Sequence, residues 1–417
     1  SQGERVAWNA AAEAIKRENG FDAIQHEQLR EEMRLGRIGL ARNRLPVDTD
    51  IQDVRDEDVM IMGDAPDRRA LGEAALRKGA VAVMSLAAGV GSRWTTGAGV
   101  IKAINPFVFM ANKHRCFLEL HLAKTRETTR RYDAAVPHIV STSFLTHGPI
   151  EKHLGLNSNY DYDGPLFLSP GRSISQRFIP MVRDLVFLWE EMPQETLDVQ
   201  KQKVREAVRG ALMDWARDRG EGSDYVDNVP IQRFNPPGHW YEMPNLLRNG
   251  ALAALLRAHP EVETLMLHNI DTLGADLDPE ALGAHLAAGN TLTFEVTPRR
   301  IQDRGGGLAR VNGKPRLLEG LAQPREEDEL RLRYYNSMTT WIQIDPLLEH
   351  FGLTRADLLM SDARQCPTAS NATTSGTAGE SKIAEAVRRM ARRMPTYVTI
   401  KEVKRRWGHG QEDVYPV

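Results

Sequence analysis

The sequence predicts an α/β fold: a doubly wound, mostly parallel sheet, with N-terminal helices before it and a small C-terminal region after it. Two observations carry this. Five short apolar runs of strand length recur along the chain, at 81–86, 138–142, 165–168, 264–268 and 292–296. Helical patterns lie between them, and strand and helix in alternation build a sheet with helices on both faces. Continuous apolar runs, as opposed to alternating ones, suit strands buried on both sides.

The elements follow in order. Ala11, Ala12 and Ile15, then Leu29, Met33, Ile38 and Leu40, recur at helical spacing and predict two helices before about residue 45. Residues 46–67 are acidic and turn-rich and read as a connector. Leu71, Ala74, Ala75 and Leu76 predict a helix over 68–78, stopped by Gly79. Further helices are expected over 117–124, 150–154 and 246–258. Residues 195–222 are charged and helical without a partner strand, and read as an insertion. After Leu348 the rhythm weakens. Residues 368–381 are rich in Ser, Thr, Gly and Ala and read as loop. A basic helix over 387–393 and a strand over 397–400 close the chain. The expected organisation is therefore 1–67 helical, 68–345 the α/β unit and 346–417 the C-terminal region.

The composition excludes several classes. The chain has 417 residues, 41% hydrophobic and 26% charged, with a net charge of -2. No basic excess points to nucleic acid or to a membrane surface. No apolar run approaches the roughly 20 residues of a membrane span, and no signal-peptide core opens the chain, so a cytoplasmic location is the default. Cys116 and Cys366 read as reduced thiols, too few for a structural zinc site.

The chemistry is expected at the carboxyl ends of the strands, where ligands of such sheets bind. The first buried strand runs into Leu86-Ala87-Ala88-Gly89-Val90-Gly91-Ser92-Arg93. Glycines there let backbone N–H groups cradle phosphate oxygens, and Arg93 adds a delocalised charge. An ordinary strand-to-helix turn is the bland alternative. Trp94 stands where a dinucleotide fingerprint would need its third glycine, and no Gly-Lys-Ser/Thr follows, so nicotinamide and Walker-loop readings both fail. Lys102 is the next cation along.

This loop resembles the nucleotide-binding loop of the UTP–sugar-1-phosphate uridylyltransferases, the UDP-glucose and UDP-N-acetylglucosamine pyrophosphorylases. Four later segments are similar to the family in the right order. They are Asn235-Pro236-Pro237-Gly238-His239; His268-Asn269-Ile270-Asp271-Thr272-Leu273-Gly274; Glu295-Val296-Thr297-Pro298-Arg299 with Gly305-Gly306-Gly307; and Tyr335-Asn336-Ser337-Met338-Thr339-Thr340-Trp341. The resemblance covers about residues 70–345. It implies a nucleotidyltransferase-type fold that passes NMP from a nucleoside triphosphate to a sugar-1-phosphate.

The resemblance also implies roles. Leu86, Ala87, Ala88, Gly89, Gly91, Ser92, Ser169, Gly238 and His239 would meet the nucleotide. Asn269, Glu295, Gly306, Gly307 and Asn336 would meet the sugar. Asp271 would hold Mg²⁺, and Arg93, Lys102 and, by a weaker match, Lys401 would neutralise phosphate charge. The residues themselves leave other readings open. Asp271 could be a helix N-cap, Asn269 and Asn336 turn residues, His239 a core histidine and Lys102 merely solvated. Glu295 could pair with Arg299 or Arg300, and Gly306–Gly307 could be a hairpin turn.

The chain departs from the family on the base and phosphate side. Ser169-Pro170-Gly171-Arg172 lacks the expected glutamine, Trp240-Tyr241 replaces Gly-Asp, and the glycine loop carries Trp94 and an altered spacing to Lys102. UTP is the expected donor by resemblance. A GTP-specific enzyme for a cyclitol phosphate such as valienol-1-phosphate is one alternative, and a non-catalytic nucleotide-binding regulatory protein is another. The resemblance leaves room for a homodimer and implies no nucleic-acid or membrane partner.

Overall fold

The computed structural model describes residues 2–89, 101–171, 173–190, 199–236, 238–360, 378–406 and 412–416. Two N-terminal helices form over Gln2–Glu18 and Ala23–Arg34. Asp22 starts the second by accepting a hydrogen bond from the Gln25 amide.

Nine strands make the main sheet: β1 (Ile51–Asp53), β2 (Val81–Leu86), β3 (His138–Thr142), β4 (Leu166–Pro170), β5 (Thr264–Asn269), β6 (Leu292–Pro298), β7 (Gly307–Val311), β8 (Lys314–Leu318) and β9 (Tyr334–Gln343). Their order is β1-β7-β9-β5-β2-β3-β4, with β6 beside β9 and β8 beside β7. The four strands β5, β2, β3 and β4 are parallel, and they are four of the five apolar runs of the sequence. The outer strands pair antiparallel.

Both faces of the parallel core are covered. On one face Ala82, Met84, Leu86, Ile139 and Leu265 pack against Leu246, Leu252, Leu255, Leu348, Leu358 and Val387. Those residues come from helices Glu242–Arg248, Ala251–Ala258, Ile344–Phe351, Arg355–Met360 and Ala378–Ala391, so residues beyond 345 complete this layer. On the other face Val81, Val83, Met266 and Trp341 meet Leu76 and Leu282. Val140 there meets Leu118, Leu122 and Ile150. Each fully buried aliphatic side chain contributes roughly 1.5–3 kcal/mol, so two-sided burial, more than β-propensity, holds these strands.

Helices Pro66–Arg77 and Pro279–Ala288 touch through glycines. A Cβ on Gly72 would lie 1.9 Å from the Pro279 carbonyl oxygen, and one on Gly283 would lie 1.8 Å from that of Arg68. Only glycine at both positions allows the two backbones this close.

Four expectations change. The connector 46–67 contains β1, an edge strand. Its acidic residues meet arginines: Arg310 binds Asp58 through two bonds of 2.6 and 2.7 Å, and Arg333 binds Asp53 at 2.6 Å. The expected helix over 246–258 is two helices, broken where Gly250 takes φ +76°. The strand expected over 397–400 does not form. There Val398 exchanges two hydrogen bonds with the side chain of Asn43 (2.6 and 2.8 Å), and the strand begins at Glu402. The β7–β8 hairpin and a second hairpin over Pro106–Met110 and Lys113–Cys116 escaped the sequence reading, although the latter opens on the short apolar run Phe107-Val108-Phe109-Met110.

Candidate active site

From β2 the chain moves outward to β3 and β4, then returns to lay β5 on the other side. The strand order therefore reverses between β2 and β5, and a crevice opens there at the carboxyl ends. The register sets Leu86 level with Asn269 and Ser141, and Ser141 level with Ser169. The loops after Leu86 and Asn269 thus leave the sheet side by side.

Packing brings the charged groups of those loops together. Ala103, completely buried, shares a cluster with Ala87 and Ile270. Their chain neighbours Lys102 and Asp271 consequently meet, with Lys102 Nζ 2.5 Å from Asp271 Oδ2. Asp271 is not the cap of the following helix: Asp278 takes that position, accepting from Glu280 and Ala281. Gly238, at φ +101°, turns the chain into a short 3₁₀ helix that carries His239. Burial lowers the His239 pKa, the Asp271 charge raises it and the Lys102 charge lowers it, so this imidazole lies within reach of both. A cavity of about 310 Å³ opens beside Gly238 and His239, with Phe21, Gln25, Tyr241 and Tyr397 among its walls.

The glycine loop leaves the sheet gradually. Leu86 and Ala87 are buried, so their side chains belong to the core. Ala88 is half-buried, its carbonyl accepting from Ser143 Oγ at 2.8 Å, and Gly89 is exposed. Gly91, Ser92 and Arg93 lie outside the described residues.

The expected sugar side forms around β6 and β9. Trp341 Nε1 donates to Glu295 Oε1 at 2.7 Å. The indole is the carboxylate's partner there; Arg299 instead donates to the carbonyls of Leu332, Asp303, Gly305 and Gly306. Burial raises the Glu295 pKa, the Trp341 hydrogen bond lowers it, and Asp278 and Asp276 raise it. Strand β9 pairs with β5 from Thr339 onward and with β7 at Tyr335, so the sheet forks between these points. The fork is a bulge. Met338 takes φ +61°, and Asn336 Oδ1 accepts from its amide at 3.0 Å. Thr272, next to Asp271, donates to the Ser337 carbonyl at 3.1 Å and so ties the fork to the acidic loop.

Several expected contacts are used differently. Asn336 serves the bulge, as its turn reading allowed. Asn269 Oδ1 accepts from the Ile270 amide at 3.1 Å. Ser169 is completely buried and takes a 2.8 Å hydrogen bond from Asn249, so its side chain braces its loop. Gly307 is required by packing, since a Cβ there would sit 2.8 Å from the Tyr334 carbonyl oxygen, and Gly306 passes close to that of Leu318. Lys401 is exposed and follows Ile400, which packs beside Ile179, Leu185 and Tyr225. The partnership of Trp341 with Glu295 was missed. The facing register of β6 and β9 was the signal that could have found it.

Among the described residues no group of three or more His, Cys, Asp or Glu side chains could enclose a metal ion. Asp271 is one accessible carboxylate. That suits Mg²⁺, which is commonly bound through one or two carboxylates with substrate phosphates and water completing its shell.

Residues 223–365 match the family model described as UTP–glucose-1-phosphate uridylyltransferase. The enzyme of that name from Solanum tuberosum is 32% identical over 130 residues, 30% of this chain and 26% of the relative. The one from Hordeum vulgare is 24% identical over 272 residues, 63% of this chain and 46% of the relative. The chain thus spans between a quarter and a half of the length of these relatives. In fold it is similar to the uridine diphosphate N-acetylglucosamine pyrophosphorylase of Trypanosoma brucei (TM-score 0.58, 15% identity, covering 98% of this chain and 68% of that one). It is also similar to the UDP-glucose phosphorylase of the same organism (TM-score 0.54, 18% identity, covering 79% and 58%). Over residues 223–365 this chain is thus similar to the UTP–glucose-1-phosphate uridylyltransferase family, and its fold is that of the pyrophosphorylase structures.

Proposed function

We propose that this chain transfers NMP from a nucleoside triphosphate, UTP by family, to a sugar-1-phosphate, giving an NDP-sugar and pyrophosphate. The observation that carries the reading is the meeting of Lys102 and Asp271 at the point where the strand order reverses. An anionic phosphate chain needs cationic groups and a metal ligand in one crevice, and both converge there.

An oxygen of the sugar-1-phosphate attacks the α-phosphorus in line. The P–O bond to the β-phosphate breaks, and pyrophosphate departs with the electron pair. The acceptor phosphate is already a nucleophile, so no serine or histidine base is required. Catalysis is then positioning and charge neutralisation. Lys102 supplies positive charge on the phosphate side. Asp271 would hold Mg²⁺, which when bound neutralises phosphate oxygens. Glu295, held by Trp341 through one oxygen, accepts sugar hydroxyls through the other.

The test is pyrophosphate release with each of four NTPs, Mg²⁺ and a panel of sugar and cyclitol phosphates. Release with UTP and glucose-1-phosphate is expected. Release with GTP only would move the donor to a purine. Silence across the panel would sink the reading.

A further inference from the structure

Behind the acidic loop, on the inner face of the sheet, four buried polar side chains form a chain of hydrogen bonds that the mechanism above does not use. Thr125 Oγ1 lies 2.9 Å from His138 Nδ1. His138 Nε2 lies 2.9 Å from Ser85 Oγ, and Ser85 Oγ lies 2.9 Å from His268 Nε2. His268 Nδ1 reaches the Asn269 carbonyl at 3.0 Å. A third histidine, His121, lies against His268 at a tilt of 40° with ring centres 4.2 Å apart, and its Nε2 reaches the Ile270 carbonyl at 2.9 Å. None of these side chains is appreciably exposed.

With all three rings neutral, the partners fix every hydrogen. A carbonyl only accepts, so His268 Nδ1 and His121 Nε2 both carry one. In a neutral His268 the other nitrogen must accept, so Ser85 donates to it. Ser85 has a single hydrogen, so His138 Nε2 must donate to Ser85. His138 Nδ1 then accepts from Thr125, whose single hydrogen takes this 2.9 Å path in preference to the His121 carbonyl 3.1 Å away. The chain has one direction, and it ends on the carbonyls of the two residues before Asp271. The amide of Thr272 also binds the Asn269 carbonyl, at 2.9 Å. The backbone is held on both sides of the acid.

Burial favours this neutral state. It lowers the pKa of His121 to about 2, that of His138 to about 3 and that of His268 to about 4, with the neighbouring histidines lowering the first two further. Buried polar groups are retained at a cost unless each is satisfied, and here each has its partner.

We propose that Thr125, His138, Ser85 and His268, with His121 alongside, are positioning residues that aim the Asp271 carboxylate into the crevice; the inference rests on the function proposed above. They touch neither substrate nor metal. They fix the main chain from which Asp271 projects, as outer-shell partners fix a ligating side chain.

Histidine tautomers read by long-range ¹H–¹⁵N NMR test the geometry without turnover. The expected result is three neutral rings between pH 5.5 and 8.5, with hydrogen on Nδ1 of His268 and on Nε2 of His121 and His138. A charged ring, or hydrogen on the other nitrogen of any of the three, would overturn the assignment.

Function is tested with Ser85→Ala and Thr125→Val, each made in the wild type and in Asp271→Ala. Loss of an outer-shell partner typically costs 10- to 100-fold. In the wild type each variant is expected to lower kcat by about tenfold or more, leaving KM for the sugar phosphate unchanged. In the Asp271→Ala background neither should lower it further. Thr125→Val is close to isosteric, and it serves if Ser85→Ala does not fold. Equal loss in both backgrounds, or none in either, would sink the positioning role while wild-type turnover left the proposed function standing. A wild type silent with every NTP would end both.

Discussion

Lys102 and Asp271 stand 169 positions apart in the chain, yet Nζ and Oδ2 are 2.5 Å apart at the crevice between β2 and β5. Each side chain is partly exposed, 21% and 34%. A pair in such a place contributes little to stability, about 0–1 kcal/mol. The role proposed for it is to present charge to a phosphate. Lys102→Ala is expected to lower kcat by about 100- to 1000-fold, the usual cost of one charge-stabilising donor, with only a small change in melting temperature. Parallel kinetics and thermal melts check this. A melt that collapses along with activity would make Lys102 structural.

The Glu295–Trp341 bond gives a pH prediction. Trp341 favours the ionised carboxylate, while burial and the neighbouring aspartates oppose it. Trp341→Phe removes the N–H donor and lets the Glu295 pKa rise further. The acid limb of the kcat/KM profile should then move to higher pH, and Glu295→Gln should abolish that limb. Equal profiles for wild type and Trp341→Phe would remove Glu295 from the sugar side.

Glu242 opens the helix after His239 and is buried over Ser141. Neither Glu242 Oε2 nor Ser141 Oγ has a hydrogen-bond partner among the described residues. Burial pushes the Glu242 pKa up to about 7, although Ser141 and Asn245 lie close enough to pull it the other way. An acid whose folded pKa exceeds its unfolded value has its stability fully present below the unfolded value. That stability is lost as pH rises through the folded one. Glu242→Gln should therefore match the wild type near pH 5 and exceed it at pH 8, by on the order of 2 kcal/mol. Denaturant melts at the two pH values measure it. A variant less stable at pH 8 would show that the carboxylate is ionised and satisfied.

The glycine contact between helices Pro66–Arg77 and Pro279–Ala288 predicts a packing loss. Gly283→Ala places a methyl against the Arg68 carbonyl, and the helices must part. Overpacking costs roughly 1–3 kcal/mol, read as a lowered denaturation midpoint with unchanged KM values.

The parallel core was legible because burial on both faces writes itself as an unbroken apolar run. Residues 81–86 and 138–142 could be bounded to the residue. Asp271 was legible as a residue that follows such a run, and Lys102 as the next cation beyond the glycine loop. The outer strands were not. β7 alternates, β8 opens on Lys314, Pro315 and Arg316, and both are held by cross-strand pairing that a local window does not contain. β1 hides in an acidic stretch whose partners, Arg310 and Arg333, lie some 250 positions away or more. Ser169 and Asn336 were assigned to ligands because a polar residue after a strand reads alike whether it faces a substrate or a neighbouring loop. Only the third dimension supplies Asn249 for one and Met338 for the other.

Because β9 hydrogen-bonds to β5 on one stretch and to β7 on the next, the platform carrying Glu295 is a continuation of the central sheet and not a hinged flap. A ladder of main-chain bonds is stiff, and Thr272 pins its branch point. The half of the crevice proposed for the acceptor is therefore built before any ligand arrives. Domain closure cannot assemble it, and a sugar phosphate should dock there with little rearrangement of the peptide backbone.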